Sequence, residues 1–360
     1  MFGVLPINKP TGWTSRDAVN LIHGILRAGL KGSEIPCTDA LCGKDQPLPG
    51  GSKKRPPLKV GHTGTLDPLA SGVLLIAVGP ATRLVEFSHQ CRKAYSGEFR
   101  FGFTSDTLDI DGEVQKVELS GSIDQMALET ELTNWMGEIE QIPPKYSAVH
   151  IDGRRAYELA RKGAEFTMPS RRVTIHGLQL QDFNLPDWSI EMECSTGTYV
   201  RTLGDDIAQS LGTRAIMTKL ERTSLGAINV TDCLPLRKDL TFEDLRNAML
   251  PPNVLLETLP AVTLSKEAAQ RIRNGIPLEA EAVMESVDEW DEQRHANSQY
   301  LAAVDELGCL VGVLQPAAKK SGSQAKGLYR SVRVFQADVA QSAPTASQPS
   351  SMNKPQSPES

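Results

Sequence analysis

The sequence has few of the features that place a chain in a membrane or in an oxidising compartment. No run of about 18 apolar residues occurs in its 360 residues, so we expect no transmembrane helix. The N-terminus lacks the basic region and apolar stretch of a secretion signal. Six cysteines spread over a chain of this length predict reduced thiols rather than a disulfide framework. We therefore expect a cytoplasmic protein that contacts no membrane.

Motifs for cofactors and metals are also missing. The phosphate-binding pattern G-x-x-x-x-G-K-[ST] does not occur, and neither does a dinucleotide-binding motif. Cys37 and Cys42 have no second pair of ligands nearby, which argues against a zinc site. Asp106, Asp109 and Asp111 do not have the order and spacing of a calcium loop. We expect neither a metal nor a cofactor.

Charge of one sign dominates only one segment. The formal net charge of −6 by itself argues against a nucleic-acid partner, but nine acids and one base lie in residues 279–306. Basic clusters remain in residues 53–59, 154–162 and 319–333. A local basic surface matters more for phosphate contact than the total charge does. Ordinary solvated surface is the alternative interpretation of each cluster.

Hydrophobic patterning predicts strands and helices without a regular repeat. Residues 73–78 form a continuous apolar run, as in a buried strand, whereas residues 95–103 alternate as in a half-buried strand. Ser15 and Asp124 are suitable N-caps for the helical patterns that follow them. Because no βαβ repeat is present, an α+β fold is favoured over a doubly wound sheet.

Length and composition predict two domains and a tail. The segment PPNVLL after Leu250 divides a first domain, 1–250, from a small β-rich domain, 251–336. Residues 30–58 are rich in Gly, Pro and Lys without periodicity, so we expect a long insertion loop there. Residues 337–360 consist largely of Ser, Pro and Gln and are predicted to be disordered.

The most informative segment is GHTGTLDPLASGVL, which begins at Gly61. It surrounds one carboxylate, Asp67, with three glycines and a proline, and it leads directly into an apolar strand. Pro68 biases Asp67 away from helical geometry. A loop held by a buried strand is a common place for a catalytic group. A glycine-rich turn that uses Asp as a turn residue is the alternative.

Two further residues, Tyr95 and Arg201, are candidates for the same site. Tyr95 opens a predicted strand, where its ring could stack on a base or belong to the core. Arg201 falls in the first turn of a predicted helix, where the helix dipole disfavours a cation. It therefore needs an anionic partner, and Asp67 is a candidate that such a pair would keep ionised. An ordinary salt bridge or a phosphate contact is the alternative.

Five segments taken together resemble the TruB family of tRNA pseudouridine synthases. They lie in family order over about the first 230 residues and read GVLPINKPTGWTS, GHTGTLDPLASGVLLIAVGPATRL, KAYSGEFRFGFTSDTLDIDG, PPKYSAVHIDGRRAYELARKG, and GTYVRTLGDDIAQSLG with KLERTSLG. The resemblance implies a pseudouridine synthase fold. That fold has a central mixed, mainly antiparallel sheet flanked by helices, and a small C-terminal PUA-like domain that could bind RNA.

The resemblance also implies an activity and a set of site residues. The protein would flip a base out of the T-loop of tRNA and convert uridine to pseudouridine at conventional position 55, as a monomer without an obligatory protein partner. Asp67 would be the catalytic carboxylate. Arg201 would pair with Asp67, Tyr95 would pack on the base, and His62 would enter the RNA. Tyr199 and Leu220 would line the pocket, and Lys9 would support the catalytic loop.

Two other functions stay open. One is an RNA-binding folding chaperone without catalysis, although every predicted catalytic position carries the functional residue type. The other is a guide-RNA-dependent pseudouridine synthase, although the chain lacks the extensions that the resemblance implies for such enzymes. The long loop, the acidic segment and the Ser/Pro tail depart from the family pattern.

Overall fold

A computed structural model describes most of the chain. The described residues are 2–32, 58–119, 123–284, 298–317 and 328–336. Most of the predicted insertion loop, the middle of the acidic segment and the predicted tail lie outside them, as do Cys37 and Cys42. Within the described residues, no helix is long and apolar enough to cross a bilayer. The four cysteines in these ranges are free thiols.

A large mixed sheet forms the first part of the structure. Its strands and the short hairpins beside it are, in chain order, β1 (Gly3–Lys9), β2 (Val60–His62), β3 (Ala70–Val78), β4 (Lys93–Phe101), β5 (Phe103–Thr104), β6 (Gln115–Lys116), β7 (Gly137–Gln141), β8 (His150–Ile151), β9 (Arg154–Arg155), β10 (Arg171–Asn184), β11 (Asp187–Cys194), β12 (Ala215–Leu225), β13 (Ile228–Asn229) and β14 (Leu234–Pro235). The helices of this part are α1 (Ser15–Gly32), α2 (Gln125–Asn134), α3 (Ala156–Arg161), α4 (Val200–Ser210) and α5 (Phe242–Asn247). Residues 30–32 thus belong to α1 rather than to the predicted loop.

Ten of these strands pair in one sheet, with the order β14-β1-β3-β12-β4-β11-β10-β7 and with β2 and β13 attached to β3 and β12. The pairs β1–β14 and β3–β12 are parallel, and the other pairs of this sheet are antiparallel. The sheet is therefore mixed and mainly antiparallel, as expected. The hairpins β5–β6 and β8–β9 pair separately.

The apolar run in β3 reflects burial on both faces of the sheet. Leu74 and Ile76 pack into the cluster formed with the helices, whereas Leu75 and Ala77 pack into a second cluster on the opposite face. Successive side chains of a strand point to opposite faces, so a strand covered on both sides is continuously apolar. Strand β4 alternates instead, because the side chains on one of its faces are partly exposed.

The helix starts show one correct and one incorrect prediction. Asp124 caps α2, since its carboxylate accepts a hydrogen bond of 2.8 Å from the helix backbone. Ser15 does not cap α1: Thr14 and Asp17 exchange two backbone-to-side-chain bonds of 3.0 Å there. The Ser15 hydroxyl instead accepts from the backbone N–H of Leu66 at 2.9 Å and donates to its carbonyl at 3.0 Å. The start of α1 is thereby joined to the loop before β3.

Strand β12 was not predicted, although it lies at the centre of the sheet. Its pairing with β4 is irregular in two places, between Met217 and Lys219 and between Arg222 and Ser224. Each irregularity moves the following side chains out of strict alternation. The period-two pattern that identifies a strand is therefore interrupted in this segment.

A second, smaller sheet follows residue 260. Its strands are β15 (Ala261–Leu264), β16 (Leu278–Glu279), β17 (Leu301–Asp305), β18 (Leu310–Pro316) and β19 (Leu328–Val334), in the order β15-β17-β18-β19-β16. Two helices accompany it, α6 (Lys266–Arg273) and α7 (Ala280–Met284). Phe335 stacks on Phe2 with ring centroids 5.2 Å apart, so apolar residues of both parts pack together. The β-rich character agrees with the prediction, whereas the domain boundary at residue 250 stays a prediction.

The contact between α4 and β4 leads to a test of stability. A Cβ atom at Gly204 of α4 would lie 2.0 Å from the ring of Phe99 in β4. We expect Gly204→Ala to lower the free energy of unfolding by about 1–3 kcal/mol through overpacking. Urea denaturation measures this change.

Gly24→Ala in α1 is the matched control, because no atom lies within 4 Å of the added Cβ. Alanine is the better helix former, so this variant should gain up to about 1 kcal/mol. Equal effects of the two substitutions would contradict the packing argument.

Candidate active site

The loop that carries Asp67 is held by backbone hydrogen bonds on both sides of the carboxylate. The carbonyl of Asp67 accepts from the N–H of Ala70 at 3.1 Å, and the carbonyl of Pro68 accepts from Gly12 at 2.8 Å. Leu66 is bound by the Ser15 hydroxyl, as described above. The Asp67 side chain itself remains 38% exposed. A fixed backbone thus presents an accessible carboxylate, as a catalytic group requires.

Arg201 lies in the first turn of α4 and is surrounded by acceptors. Its Nη2 lies 2.8 Å from Asp67 Oδ2 and donates to the Tyr146 carbonyl at 3.3 Å. Its Nη1 donates to the Thr107 carbonyl at 2.6 Å and lies 3.4 Å from Asp109 Oδ2. The Arg201 side chain is only 5% exposed. The expected contact between Arg201 and Asp67 is therefore confirmed, and the pair orients the Asp67 carboxylate.

Asp109 was missed as a site residue. Its Oδ1 accepts from the Thr107 hydroxyl at 2.6 Å and from the N–H of Asp111 at 3.1 Å, while Oδ2 faces Arg201. Burial raises the pKa of Asp109 above its usual value, and the bonds from Thr107 and the charge of Arg201 oppose that shift. The available signal in the run TSDTLDIDG was a hydroxyl residue, Thr107, two positions before Asp109. Neither the comparison with a calcium loop nor the family resemblance assigned Asp109 a role.

A cavity of about 250 Å³ opens in front of Asp67. Tyr95, Tyr199, Arg201 and Leu220 line it, and Asp67 is the single carboxylate among its lining residues in the described part of the chain. Sites for drug-sized ligands begin at about 300 Å³. The cavity is therefore suited to one flat ring rather than to a longer stretch of polymer.

Tyr95 and Leu220 form an apolar wall of the cavity from adjacent strands. Both side chains are buried, and β4 and β12 pair directly. Burial raises the pKa of the Tyr95 hydroxyl, although the positive charge of Arg222 opposes the shift. The phenol is therefore neutral at physiological pH. It offers a ring face for stacking and a hydroxyl for hydrogen bonding.

Tyr199 is held at the other side of the cavity by two neighbours. The side chain of Gln141 accepts from the Tyr199 N–H at 2.7 Å and donates to its carbonyl at 3.0 Å. The guanidinium of Arg171 lies 5.1 Å from the centre of the Tyr199 ring. These contacts orient the ring at the start of α4, two residues before Arg201.

Two predicted site residues, His62 and Lys9, are not among the lining residues of the cavity. His62 lies on β2, where burial lowers its pKa and leaves Nδ1 without a hydrogen-bond partner. Lys9 is fully buried, and its ammonium donates to two carbonyls of the turn 10–13 at 3.0 and 2.7 Å. Burial lowers the Lys9 pKa to about 8. The N–H of Gly12 in this turn donates to the Pro68 carbonyl, so Lys9 stabilises a turn that holds the loop of Asp67.

Arg222 was also missed by the sequence analysis. Its residue exposure is 1%, and Nε donates to the Val73 carbonyl at 2.6 Å, while Nη2 donates to the Gly64 carbonyl at 3.4 Å. It thereby connects β12 to β3 and to the loop that carries Asp67. The available signal was its position two residues after Leu220, which places both side chains on one face of a strand.

The large mixed sheet with its smaller companion is the fold of the pseudouridine synthases. The chain matches one from the crystal structure of a Cbf5–Nop10–Gar1 complex with a TM-score of 0.62 and 21% identity, over 93% of this chain and 85% of that chain. A chain from an H/ACA RNP bound to a substrate RNA containing 2′-deoxyuridine matches with a TM-score of 0.60 and 21% identity, over 96% and 87%. At such identity the likeness shows the fold alone.

Sequence relatives then define the family. The model of the TruB family pseudouridylate synthase N-terminal domain matches residues 52–200. The tRNA pseudouridine synthase B of Clostridium kluyveri is 36% identical over 285 residues, which cover 79% of this chain and 88% of that protein. That of Geobacillus thermodenitrificans is 36% identical over 301 residues, covering 80% and 89%. The chain belongs to the TruB family.

The buried charges around Arg201 predict how a variant depends on pH. Arg201→Met leaves Asp109 buried without its cation, so we expect a loss of about 3–5 kcal/mol of unfolding free energy. The Asp109 pKa, already raised, should rise further. A carboxyl whose folded pKa is raised destabilises the fold as pH rises through that value. The deficit relative to the wild type should therefore be smaller at pH 5 than at pH 8, as measured by urea denaturation.

The double variant Arg201→Met with Asp109→Asn tests whether the unpaired Asp109 carboxylate causes this pH dependence. Removing that carboxylate should restore part of the lost stability and abolish the added pH dependence. As a surface control, Arg100→Met breaks the half-exposed pair with Asp187 and should cost less than about 1 kcal/mol. An Arg201→Met deficit that is equal at both pH values would refute this explanation.

Proposed function

We propose that this protein isomerises uridine to pseudouridine at conventional position 55 in the T-loop of tRNA. Its family membership and the names of its relatives support a uridine isomerase that acts on tRNA. The observation that carries the proposal is the 2.8 Å pair of Asp67 and Arg201 at the wall of a cavity with room for one base.

The size of the cavity supports a mechanism in which the target nucleotide leaves its stack. Flipping a base out of a folded loop costs a few kcal/mol. The buried ring of Tyr95 and the side chain of Leu220 offer new apolar contacts to that base. The vacancy in the RNA can be filled by a flat side chain, and His62, on the strand that leads to Asp67, has the right shape. Because its pKa is lowered, His62 is an uncharged ring near neutral pH.

The chemistry needs one ionised carboxylate and little water. The C–N glycosidic bond breaks, the uracil turns, and a bond forms between C1′ and C5, while C5 loses its proton and N1 gains one. Asp67 can attack the sugar or the base, remove a proton from the sugar, or stabilise positive charge at C1′, and each route requires the ionised form of the carboxyl group. Glycoside hydrolases generally use two carboxylates to manage water. A single acid beside apolar walls suits an isomerase that must exclude water.

The site draws all of these groups from one chain. Asp67, Tyr95 and Arg201 come from a loop, a strand and a helix of the same large sheet and its helices. We therefore propose a monomeric enzyme of the cytoplasm that needs no guide RNA, protein partner or cofactor. The reaction is redox-neutral, which agrees with this proposal.

Replacement of the catalytic carboxylate is the central test. Asp67→Asn should abolish pseudouridine formation on a tRNA that lacks only this modification, because the amide cannot act as an anion. RNA binding should survive, since the cavity keeps its shape. Site-resolved pseudouridine detection and a filter-binding assay measure the two properties.

Asp182→Asn, which removes an exposed carboxylate on β10, is the matched control and should keep full activity. Appreciable turnover by Asp67→Asn would exclude Asp67 as the catalytic group. A wild-type protein that binds tRNA without modifying it would favour a folding chaperone. Activity that appears only with added guide RNA would favour a guide-dependent enzyme.

A basic surface borders the cavity and is suited to the RNA backbone. Arg154, Arg155, Arg161 and Lys162 are exposed on the hairpin β8–β9 and around α3. This unit is bonded to the cavity wall, since the N–H of Tyr157 donates to the carbonyl of Ser147 at 3.0 Å. Phosphate contacts made here would position the target loop over the cavity.

We expect the affinity for tRNA to fall steeply with salt, because phosphate contacts release counterions. The double variant Arg154→Ala with Arg155→Ala should reduce the slope of log affinity against log salt by about two. Arg100→Ala, whose charge is paired with Asp187, should leave the slope unchanged. A slope equal to that of the wild type in the double variant would place the phosphate contacts elsewhere.

A further inference from the structure

Lys93 is a buried cation in the same cavity. It opens β4 two residues before Tyr95, so both side chains lie on one face of the strand, and both line the cavity. Its residue exposure is 7%. The Lys93 ammonium donates to the hydroxyl of Thr196, and that hydroxyl donates in turn to the carbonyl of His89.

The neighbours of Lys93 leave its charge without a counterion. Among the described residues no carboxylate lies within 4.0 Å of its ammonium, and Thr196 is its one hydrogen-bond acceptor. The nearby Cys91 and Cys194 thiols are neutral, because burial raises their pKa values to about 12 and about 11. Burial and the charge of Arg222 lower the Lys93 pKa to about 8, so the group is largely protonated at neutral pH.

Such an arrangement is costly in the free protein. A buried cation loses its hydration, and one acceptor satisfies only one of the three N–H donors of an ammonium. An apolar side chain of similar length would fill the same space without that cost. Lys93 therefore has the properties of a binding group for an anionic ligand.

The position of Lys93 in the cavity indicates which part of the substrate it meets. Leu220 of β12 pairs with Ala70, directly after the loop of Asp67, and with Gly97 of β4. Lys93 pairs instead with Cys194 and Leu225, at the other end of β4, and Tyr95 lies between Gly97 and Lys93. Along β4, Lys93 is therefore farther than Tyr95 from the loop that carries Asp67. A nucleotide whose sugar faces Asp67 extends its backbone away from that carboxylate.

We propose that Lys93 binds a phosphodiester oxygen adjacent to the flipped uridine. This inference rests on the proposed function, since it assumes an RNA substrate with one nucleotide in the cavity. A phosphodiester carries a full negative charge and matches a buried ammonium better than a neutral uracil carbonyl does. The contact holds the nucleotide while its base detaches and turns.

Lys93→Met tests the role with three measurements. The KM for a T-arm stem-loop should rise about tenfold with a smaller change in kcat, because the contact holds substrate and transition state alike. The salt slope should fall by about one. The thermal unfolding midpoint should not fall, since a costly buried charge has been removed. Lys93→Arg, which keeps the charge, should retain most of the salt slope.

Lys219→Met is the matched control, because its exposed ammonium is neutralised by Glu98 at 2.8 Å. It should change neither KM nor the salt slope. A lower unfolding midpoint of Lys93→Met with an unchanged salt slope would overturn the proposal in favour of a structural role. A raised KM with an unchanged slope would overturn it in favour of a base carbonyl contact.

Substrates with one neutral methylphosphonate linkage locate the contact. With the wild type, neutralising the linkage on one side of the target uridine should reduce kcat/KM about tenfold, and Lys93→Met should lose little more from the same change. Equal losses in both proteins would refute the contact. The activity of the wild type on RNA without a methylphosphonate distinguishes a failure of the proposed function from a failure of the Lys93 contact. No pseudouridine in that RNA would mean that the proposed function fails. Full activity, with additive losses from the variant and the neutral linkage, would mean that only the Lys93 contact fails.

Discussion

The burial of the Arg201 guanidinium is the constraint on which the site depends. The first turn of a helix disfavours a cation, and burial removes its hydration. The carboxylates of Asp67 and Asp109 and the carbonyls of Thr107 and Tyr146 surround the Arg201 guanidinium and compensate for this loss. These acceptors come from three segments that are separate in sequence. The cation therefore couples the docking of α4 to the orientation of the Asp67 carboxylate.

The charged side chains of the cavity fall into two groups. Asp67 and Arg201 form a compensated pair, whereas Lys93, two residues before Tyr95 on β4, lacks a counterion among the described residues. A uridine in an RNA strand also has distinct neutral and charged parts. Its base is neutral and flat, its sugar reacts, and a charged phosphate lies on either side. In the proposed function, the base would react among apolar walls, and the charged side chains would hold the ends of the nucleotide.

Local sequence patterns predicted the helices and strands in which the pattern of burial or capping is regular. The apolar run of β3 and the capped start of α2 follow from periodicity and from one carboxylate. Strand β12 was missed because two irregularities in its pairing interrupt the alternation. The N-cap at Ser15 was wrong because that hydroxyl binds a loop distant in sequence, which leaves Thr14 to cap the helix.

The sequence alone predicted Asp67 as a site residue and Arg201 as its partner, because a lone acid in a glycine-rich loop and a cation at a disfavoured helix position are each unusual within their own few residues. The structure confirms their contact. The sequence also indicated the family and the class of fold. The tertiary structure alone decided that Asp109 shares Arg201, that Arg222 joins three segments, and that Lys93 is buried without a counterion. Burial and charge compensation depend on which distant segments pack together, so no local pattern could have determined them.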